Sequence, residues 1–600
     1  MPADTADTLP FANGARVFVA PLPGVYGPAG DAASPDSIRK LSQEISGLKG
    51  QRKALDIVRS AVAAMRVHDF ETGSRRALKA LQYDERMGQA WHVLAICREK
   101  LGHFVQAISA YEAAVKLLPD ETEVAHDLAR LAQRLGYKDI SEKLQRRFLA
   151  ANPGHVEATN NLAALLREQK RYSEAIETLS QLIQIEPHHA LLWNTLGSVL
   201  SDQGQMTESM TFFDESLRLN PDFAKARFNR GSALHGLGRS ADALEDIEAA
   251  LPGAEPGFER AMMLMARGMA KMAMGNIVGG MVDYDERFNP HMPDAPHFIV
   301  DAPRWDPATM DIAGKTLLVA GEQGLADEMV FANCLADVIE AVGPEGRVYV
   351  AVEKRLVDMF QRSHPTAVVG AHNTISLEGR VRRFLPFLEE WTAKDGPVDA
   401  WIPLGALTGI YRPTVEAFPT QAGHLVADPA RVAHWKTELE KLGPGLKIGL
   451  HWKSLVLTGP RARYFSAFER WKPVLTAPGC VMINLQCGDV ADDLAAAEAA
   501  GISIWTPPFD LKDDLEDLAA ISMAADLVIG PGIAGTNLAA SVGARTWMAV
   551  WPDDWHKLGT DHYPFYPQMR CFQMETMSDW PAVMERMRIA LGEAVEGRWS

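Results

Sequence analysis

The sequence predicts a two-part protein: an all-helical repeat array, then an α/β region built as two parallel-sheet lobes. The first part rests on Pro119, Pro153, Pro187 and Pro221, which stand 34 residues apart. The second rests on a change after His291, where the period ends and short runs rich in Val, Ile and Leu alternate with amphipathic stretches of helix length. Strands separated by helices imply parallel sheets with helical crossovers. A chain of 600 residues holds material for about four domain-sized units, each with a core of its own.

Composition bounds the function. Hydrophobic residues make up 47% and charged residues 23%, with a formal net charge of −17. That balance excludes broad, non-specific nucleic-acid binding, which needs a basic footprint. It leaves room for an anionic ligand in one locally basic cleft. Cys97, Cys334, Cys480, Cys487 and Cys571 are scattered and lack the paired spacing of a zinc site, so they read as reduced thiols. The N-terminus has no charged start followed by an apolar core, and no apolar stretch reaches the ~20 residues of a membrane span. The expected location is cytoplasmic.

Residues 1–50 are rich in Pro, Gly, Ala and Asp and show no sustained periodicity; they read as a flexible arm turning helical near Ser37. Residues 51–292 carry the repeat. Gly102 and Gly136 keep the 34-residue interval, as do Gly204 and Gly238, and Ala107, Ser141, Ala175, Ser209 and Ala243 fall on the same grid. The stretch Gly88 to Glu121 is the fullest unit, with Trp91, Leu94, Gly102, Ala107, Tyr111, Ala114 and Pro119. Small residues let paired helices approach, aromatics fill the gap, and Pro ends the second helix: this is the tetratricopeptide pattern. The array begins near Ala54, where Phe70, Gly73 and Ala77 keep the grid without Pro. A turn at Pro252–Pro256 slips the register by three, so the next glycine is Gly275. A Met-rich last unit runs from Ala261 to about Pro290, its methionines filling the core.

The expected strands are Thr316–Ala320, Arg347–Val352, Ala367–Gly370 and Asp399–Leu404 in a first lobe (293–425). Lys447–Trp452, Val481–Gln486, Ile502–Thr506, Leu527–Ile529 and Thr546–Val550 belong to a second (426–600). Gly423–Ala427 is the crossover. Ligands of such sheets sit at the carboxyl ends of the strands.

Three segments there carry candidate chemistry. Gly321-Glu322-Gln323-Gly324 leads into a helix whose first turn holds Asp327; glycines admit a ligand and the helix start favours an anion, although Asp327 also fits as a simple helix-dipole residue. His451-Trp452-Lys453, followed by Arg461 and Arg463, places cations where a departing phosphate needs them, or forms a solvated cluster. Gly530-Pro531-Gly532-Ile533-Ala534-Gly535, then Thr536 and Asn537, reads as a phosphate-cradling turn. The same turn formally matches a dinucleotide fingerprint with Asp553 or Asp554 as the ribose acid, but it comes late in its sheet for that. Asp283-Tyr284-Asp285 has the D-x-D form of a metal site yet lies on the last solenoid helix; it reads as structural, and no metal is expected.

The order of these segments resembles tetratricopeptide-linked glycosyltransferases of the two-lobed GT-B class, a solenoid followed by two Rossmann-like lobes. The residues that carry the resemblance are Gly275, Gly280, Tyr284 to Arg287, Pro303 to Trp305, Gly321 to Gly324 with Asp327, Trp452, Asn484 to Gln486, Asp526 to Ile529, and Trp551 to Pro567. The layout is similar to flagellin-modifying glycosyltransferases of alphaproteobacteria. That resemblance implies a metal-independent, inverting protein O-glycosyltransferase without a cofactor. Its substrate would be a nucleotide sugar such as a CMP-linked nonulosonic acid of the pseudaminic type, and its client flagellin. It implies Asp327 as general base, Lys453 and Arg463 at the leaving phosphate, and Gln323, Gly324, His451, Gln486, Gly530, Gly532, Thr536 and Asn537 around the donor. Asn160, Asn161, Asn194 and Asn229, on first helices of their repeats, would hold client backbone. The family's Asp-Thr and His in the last turn are replaced by Gly532-Ile533 and Asn537, and its Gly by Ala326. A different donor explains these departures, and so does a non-catalytic scaffold for flagellar assembly.

Overall fold

The computed structural model describes residues 8–10, 16–18, 38, 39, 41, 42, 45 and 52–599, apart from 293–294, 378–379, 456–463 and 577–578. Most of the expected N-terminal arm, together with Arg461 and Arg463, lies outside the described residues. Within the arm, β1 (Thr8–Pro10) pairs antiparallel with β2 (Arg16–Phe18). The chain divides into two compact units, one of residues 1–199 with 218–221 and 377–379, the other of the remainder. Among the described residues no helix is long and apolar enough to cross a membrane.

Residues 52–284 form consecutive helical hairpins, from Arg52–Arg66 and Phe70–Leu81 to Phe258–Ala273 and Ile277–Tyr284. The 34-residue grid has a direct physical cause. His68, Gly102, Gly136, Lys170, Gly204 and Gly238 recur at that interval, and all have φ between +59° and +95°. Each hairpin needs one left-handed residue to reverse the chain, which glycine supplies without strain. The crossing residues Ala107, Ser141, Ala175, Ser209 and Ala243 are wholly buried. In the first hairpin a Cβ on Gly73 would lie 2.7 Å from Cys97 Sγ. The second helices of the repeats end at Leu117, Ala151, Ile185 and Leu219, two residues before each aligned proline, which cannot continue a helix.

All nine expected strands are present within two residues at each end. The first lobe is a four-stranded parallel sheet in the order β6 (Val368–Ala371), β5 (Arg347–Val352), β4 (Thr316–Ala320), β9 (Ala400–Pro403). The second is a six-stranded parallel sheet in the order β12 (Ile504–Trp505), β11 (Cys480–Asn484), β10 (Leu446–Leu450), β13 (Leu527–Pro531), β14 (Thr546–Val550), β15 (Met569–Gln573). Edge strand β15 was not among the expected nine. Nor was a small sheet of β3 (His297–Phe298), β8 (Arg380–Phe384) and β7 (Asn373–Leu377).

Each large sheet starts in its middle and winds outward both ways, so its strand order reverses between β4 and β9, and between β10 and β13. These switch points open the crevices that doubly wound sheets use for ligands. Alternate side chains fill both faces: Leu317 and Val319 join one core and Leu318 another, as do Val528 and its neighbours Leu527 and Ile529. The shared core runs through both lobes and takes in Met272, Ile277, Met281 and Tyr284 of the last repeat. The crossover Gly423–Ala427 is tied to the second lobe by the His424 and Leu425 amides, which donate to Ser541 O at 2.8 and 2.9 Å.

Candidate active site

The loop after β4 is built by residues outside it. Glu322, fully buried, takes two hydrogen bonds from Arg287 (2.6 and 2.8 Å) and a third from the Gly405 amide at 2.7 Å. The Arg287 guanidinium also lies over the Tyr284 and Phe288 rings. Glu322 therefore anchors the last solenoid turn to the first switch point. Arg383 of β8 donates to Gly321 O and, at 2.7 Å, to Gln323 O. Gln323 itself is exposed with φ +59°, a left-handed conformation that a side chain tolerates only under such restraint.

This clamped loop delivers Asp327 to the first turn of the helix Leu325–Phe331. Its Oδ2 accepts from the Gly324 amide at 3.1 Å, a reach-back that satisfies one orphan amide of the helix start. The residue is half-buried. Burial nonetheless raises its pKa above the ordinary carboxylate value, against the pull of the Gly324 amide and of His556. The helix packs against Ala534–Ser541 of the second lobe, the helix that follows the Gly530–Gly535 turn.

In the second lobe the glycine turn is shaped by His451. The imidazole is 2% exposed and buried against the backbone: a Cβ on Gly535 would lie 2.2 Å from its Cε1. Burial drives its pKa down to about 3, so it is a neutral packing group and no phosphate-binding cation. Gly530 has its own reason to be glycine, since its Cβ would lie 2.4 Å from Thr536 Oγ1. At Gly532 a Cβ would make only ordinary contacts, with Met548 Sδ and Trp551 Cη2 at 3.8 and 3.9 Å, so packing does not demand glycine there. Thr536 is buried and Asn537 is 6% exposed, its amide donating to Ile533 O at 2.9 Å.

Gln486 is spent within the protein as well. Its side-chain oxygen accepts from the Trp452 and Lys453 amides, both at 2.9 Å, and its nitrogen donates to Cys487 O. It shapes the loop after β10 and is only 2% exposed. Lys453 Nζ reaches Asp493 Oδ2 at 2.6 Å, and Trp452 Nε1 donates to the same oxygen at 2.9 Å. A phosphate must compete with Asp493 for that ammonium. Asp493 went unnoticed in the sequence because nothing in a 40-residue separation ties it to Lys453.

The segment after β14 places the two candidate ribose acids and adds His556 and Tyr563, which sequence reasoning passed over. Asp553 accepts from the Ser240 amide at 2.9 Å and so caps a solenoid helix. Asp554, buried, accepts from His556 Nδ1 at 2.7 Å, from the His556 amide at 3.0 Å, and from the Tyr563 hydroxyl. Neither is placed as a ribose acid. Burial works to raise the Asp554 pKa, but His556 and Tyr563 hold it below the usual carboxylate value. The D-x-D carboxylates are paired too: Asp283 with Arg267 and Lys271, Asp285 with Arg304. Among the described residues no cluster of His, Cys, Asp and Glu is arranged to hold a metal.

On the solenoid, Asn160 and Asn161 are half-buried on the helix Val156–Glu168, and the Thr195 hydroxyl donates to Asn160 Oδ1. Asn194, on Ala190–Asp202, is 2% exposed, so it offers no surface to a client. Asn229, on Ala224–Gly236, is half-buried.

Comparison with known proteins places the chain. The family profile described as tetratricopeptide repeat matches residues 58–122, 126–190 and 194–257. Protein FlbA of Caulobacter vibrioides is 46% identical over 564 residues, covering 94% of each chain. Among solved structures, a tetratricopeptide repeat protein from Parabacteroides merdae is 17% identical with a TM-score of 0.36, covering 39% of this chain and 92% of that one. A thermophilic tetratricopeptide protein of Thermus thermophilus is 21% identical with a TM-score of 0.27, covering 30% and 98%.

Proposed function

The chain belongs to the family of Protein FlbA, and from that premise we propose that it is a protein O-glycosyltransferase of the two-lobed GT-B class, with a solenoid that binds the client. The observation that carries this reading is the packing of the Asp327 helix against the helix that follows the Gly530–Gly535 turn. It sets the helix that carries the carboxylate against the helix that follows a glycine turn with helix-terminal amides, which supports a ligand between the two.

In the proposed step a client Ser or Thr hydroxyl oxygen bonds to the anomeric carbon of a nucleotide-linked sugar. The hydroxyl proton passes to Asp327, and the bond from that carbon to the nucleotide phosphate oxygen breaks. The leaving nucleotide takes the electron pair, stabilised by amides of the Gly530 turn and by Lys453 released from Asp493. A base in this position contributes about 10²–10⁴-fold in rate. The resemblance of the chain order to flagellin-modifying enzymes makes flagellin the proposed client and a CMP-linked nonulosonic acid the proposed donor.

Intact-mass spectrometry of flagellin from cells with and without the gene tests both points. Loss of sugar-sized mass increments, restored by the wild type but not by Asp327→Asn, is the expected result. Flagellin of unchanged mass would remove the client assignment. A second reading, a non-catalytic scaffold, draws on Lys453 and Gln486 being committed to partners within the protein; restoration of the increments by Asp327→Asn would favour it.

A further inference from the structure

Gly532 is a glycine that neither backbone nor packing explains. It is not among the residues with positive φ, and a Cβ on it would make only ordinary contacts. What a side chain there would do is lie against the Trp551 indole, whose Cη2 stands 3.9 Å from that Cβ. Strands β13 and β14 run parallel, with Pro531 opposite Ala549, so Gly532 and Trp551 stand together at their carboxyl ends, where ligands of such sheets bind. Trp551 also differs from its neighbours: Trp547 and Trp555 are 2% and 9% exposed, whereas Trp551 is half-buried. Tyr464 packs on it with ring centroids 4.6 Å apart and planes tilted by 43°, a contact that steadies the indole. The turn beside this aromatic pair holds two orphaned polar atoms. Thr536 Oγ1 and His451 Nε2 are buried without a hydrogen-bond partner among the described residues. Both lie against the turn, the first where it would meet a Cβ on Gly530 and the second 2.7 Å from a Cβ on Gly535. Such atoms are costly unless a polar partner reaches them, and each can donate to an oxygen.

We propose that Trp551, steadied by Tyr464 and left uncovered by Gly532, is the platform on which the base of a nucleotide stacks, its ribose phosphate lying along the Gly530–Gly535 turn. A flat ring on the indole and oxygens at the turn are the two ends of one nucleotide, and the glycine lets the ring approach. This role rests on the transferase reading and deepens it, because it assigns the donor's base a place of its own. Stacking uses the face of a base and not its edge, so the platform accepts pyrimidines and purines alike.

The experiment is isothermal titration calorimetry of the full-length protein with CMP, UMP, AMP and GMP, and with ribose 5-phosphate as the probe that lacks a base. The wild type should bind the nucleotides about tenfold or more tighter than ribose 5-phosphate. Trp551→Ala should abolish that preference, and Trp551→Phe, which keeps a ring, should retain most of it. Gly532→Val covers the indole without disturbing the core, so it too should abolish the preference, and it serves should Trp551→Ala not fold. A preference that survives either Trp551→Ala or Gly532→Val in a folded protein overturns the platform and leaves the transferase reading standing. A wild type that binds ribose 5-phosphate as tightly as the nucleotides overturns the platform in the same way. Binding of none of the four nucleotides removes the nucleotide donor and the platform together. A preference abolished by both variants, in a protein whose loss leaves the flagellin mass unchanged, upholds the platform and counts against transfer to flagellin.

Discussion

At the scale of single residues, the site holds a carboxylate where stability alone would not place one. Burial raises the Asp327 pKa, so the folded protein binds that proton more tightly than the unfolded chain does. Its contribution to stability is then most favourable below the ordinary carboxylate pKa and is lost as pH rises through the folded value. At neutral pH the ionised group is a cost. Asp327→Asn keeps an oxygen to accept from the Gly324 amide while removing the charge. Its thermal midpoint should exceed that of the wild type at pH 7, with the gap narrowing towards pH 4. Differential scanning fluorimetry at the two pH values decides this; a variant less stable at pH 7 would make Asp327 a structural cap. Asp327 was legible in the sequence because a glycine loop after a strand announces it. The role of Asp554 was not, because a histidine two residues on and a tyrosine nine residues on announce nothing until the fold buries all three together.

At the scale of elements, legibility followed how local each physical demand is. A hairpin must turn through a left-handed residue, close over a small one and stop at a proline, and each demand writes a letter at a fixed interval. Buried strands such as Thr316–Ala320 show as apolar runs. Edge strand Met569–Gln573 alternates Arg570 and Gln573 with apolar neighbours, and Arg380–Phe384 carries three arginines, so neither reads as a core strand. The turn grid also explains where the repeats depart from their own rule. Lys170 adopts φ +60° at a position where four sister turns use glycine, and a side chain there costs about 1 kcal/mol or more. Lys170→Gly should raise unfolding stability by about 0.5–1 kcal/mol after the entropy of the freer unfolded chain is set against it. Urea unfolding followed by helical circular dichroism measures it, and a loss of stability would mean that the Lys170 side chain contributes more than its backbone strain costs.

At the scale of the whole molecule, the boundary between repeats and lobes is a boundary in sequence pattern and not in packing. The pattern changes at residues 291–293, yet the second compact unit takes in residues 200–217 and the solenoid helices from Ala224 onward. Three contacts explain why. The last repeat lends Met272, Ile277, Met281 and Tyr284 to the shared core. Arg287 is the buried partner of Glu322 at the first switch point. Two turns of the repeats meet the segment after β14, with Pro552 Cβ 2.6 Å from a Cβ built on Gly238 and Leu558 O 3.4 Å from one on Gly275. A fragment of residues 293–600 would expose that apolar surface and leave Glu322 buried without its guanidinium, a loss of about 3–5 kcal/mol from the ion pair alone. A fragment of residues 222–600 keeps every one of these contacts. The expected result is soluble, cooperatively melting 222–600 and aggregated or unfolded 293–600, compared by size-exclusion chromatography and calorimetry. Equal stability of the two would show that the terminal repeats merely lean on the lobes. The expected difference would instead make them part of the framework of the candidate site, because Arg287 at the end of the last repeat holds Glu322 of the loop that leads to Asp327.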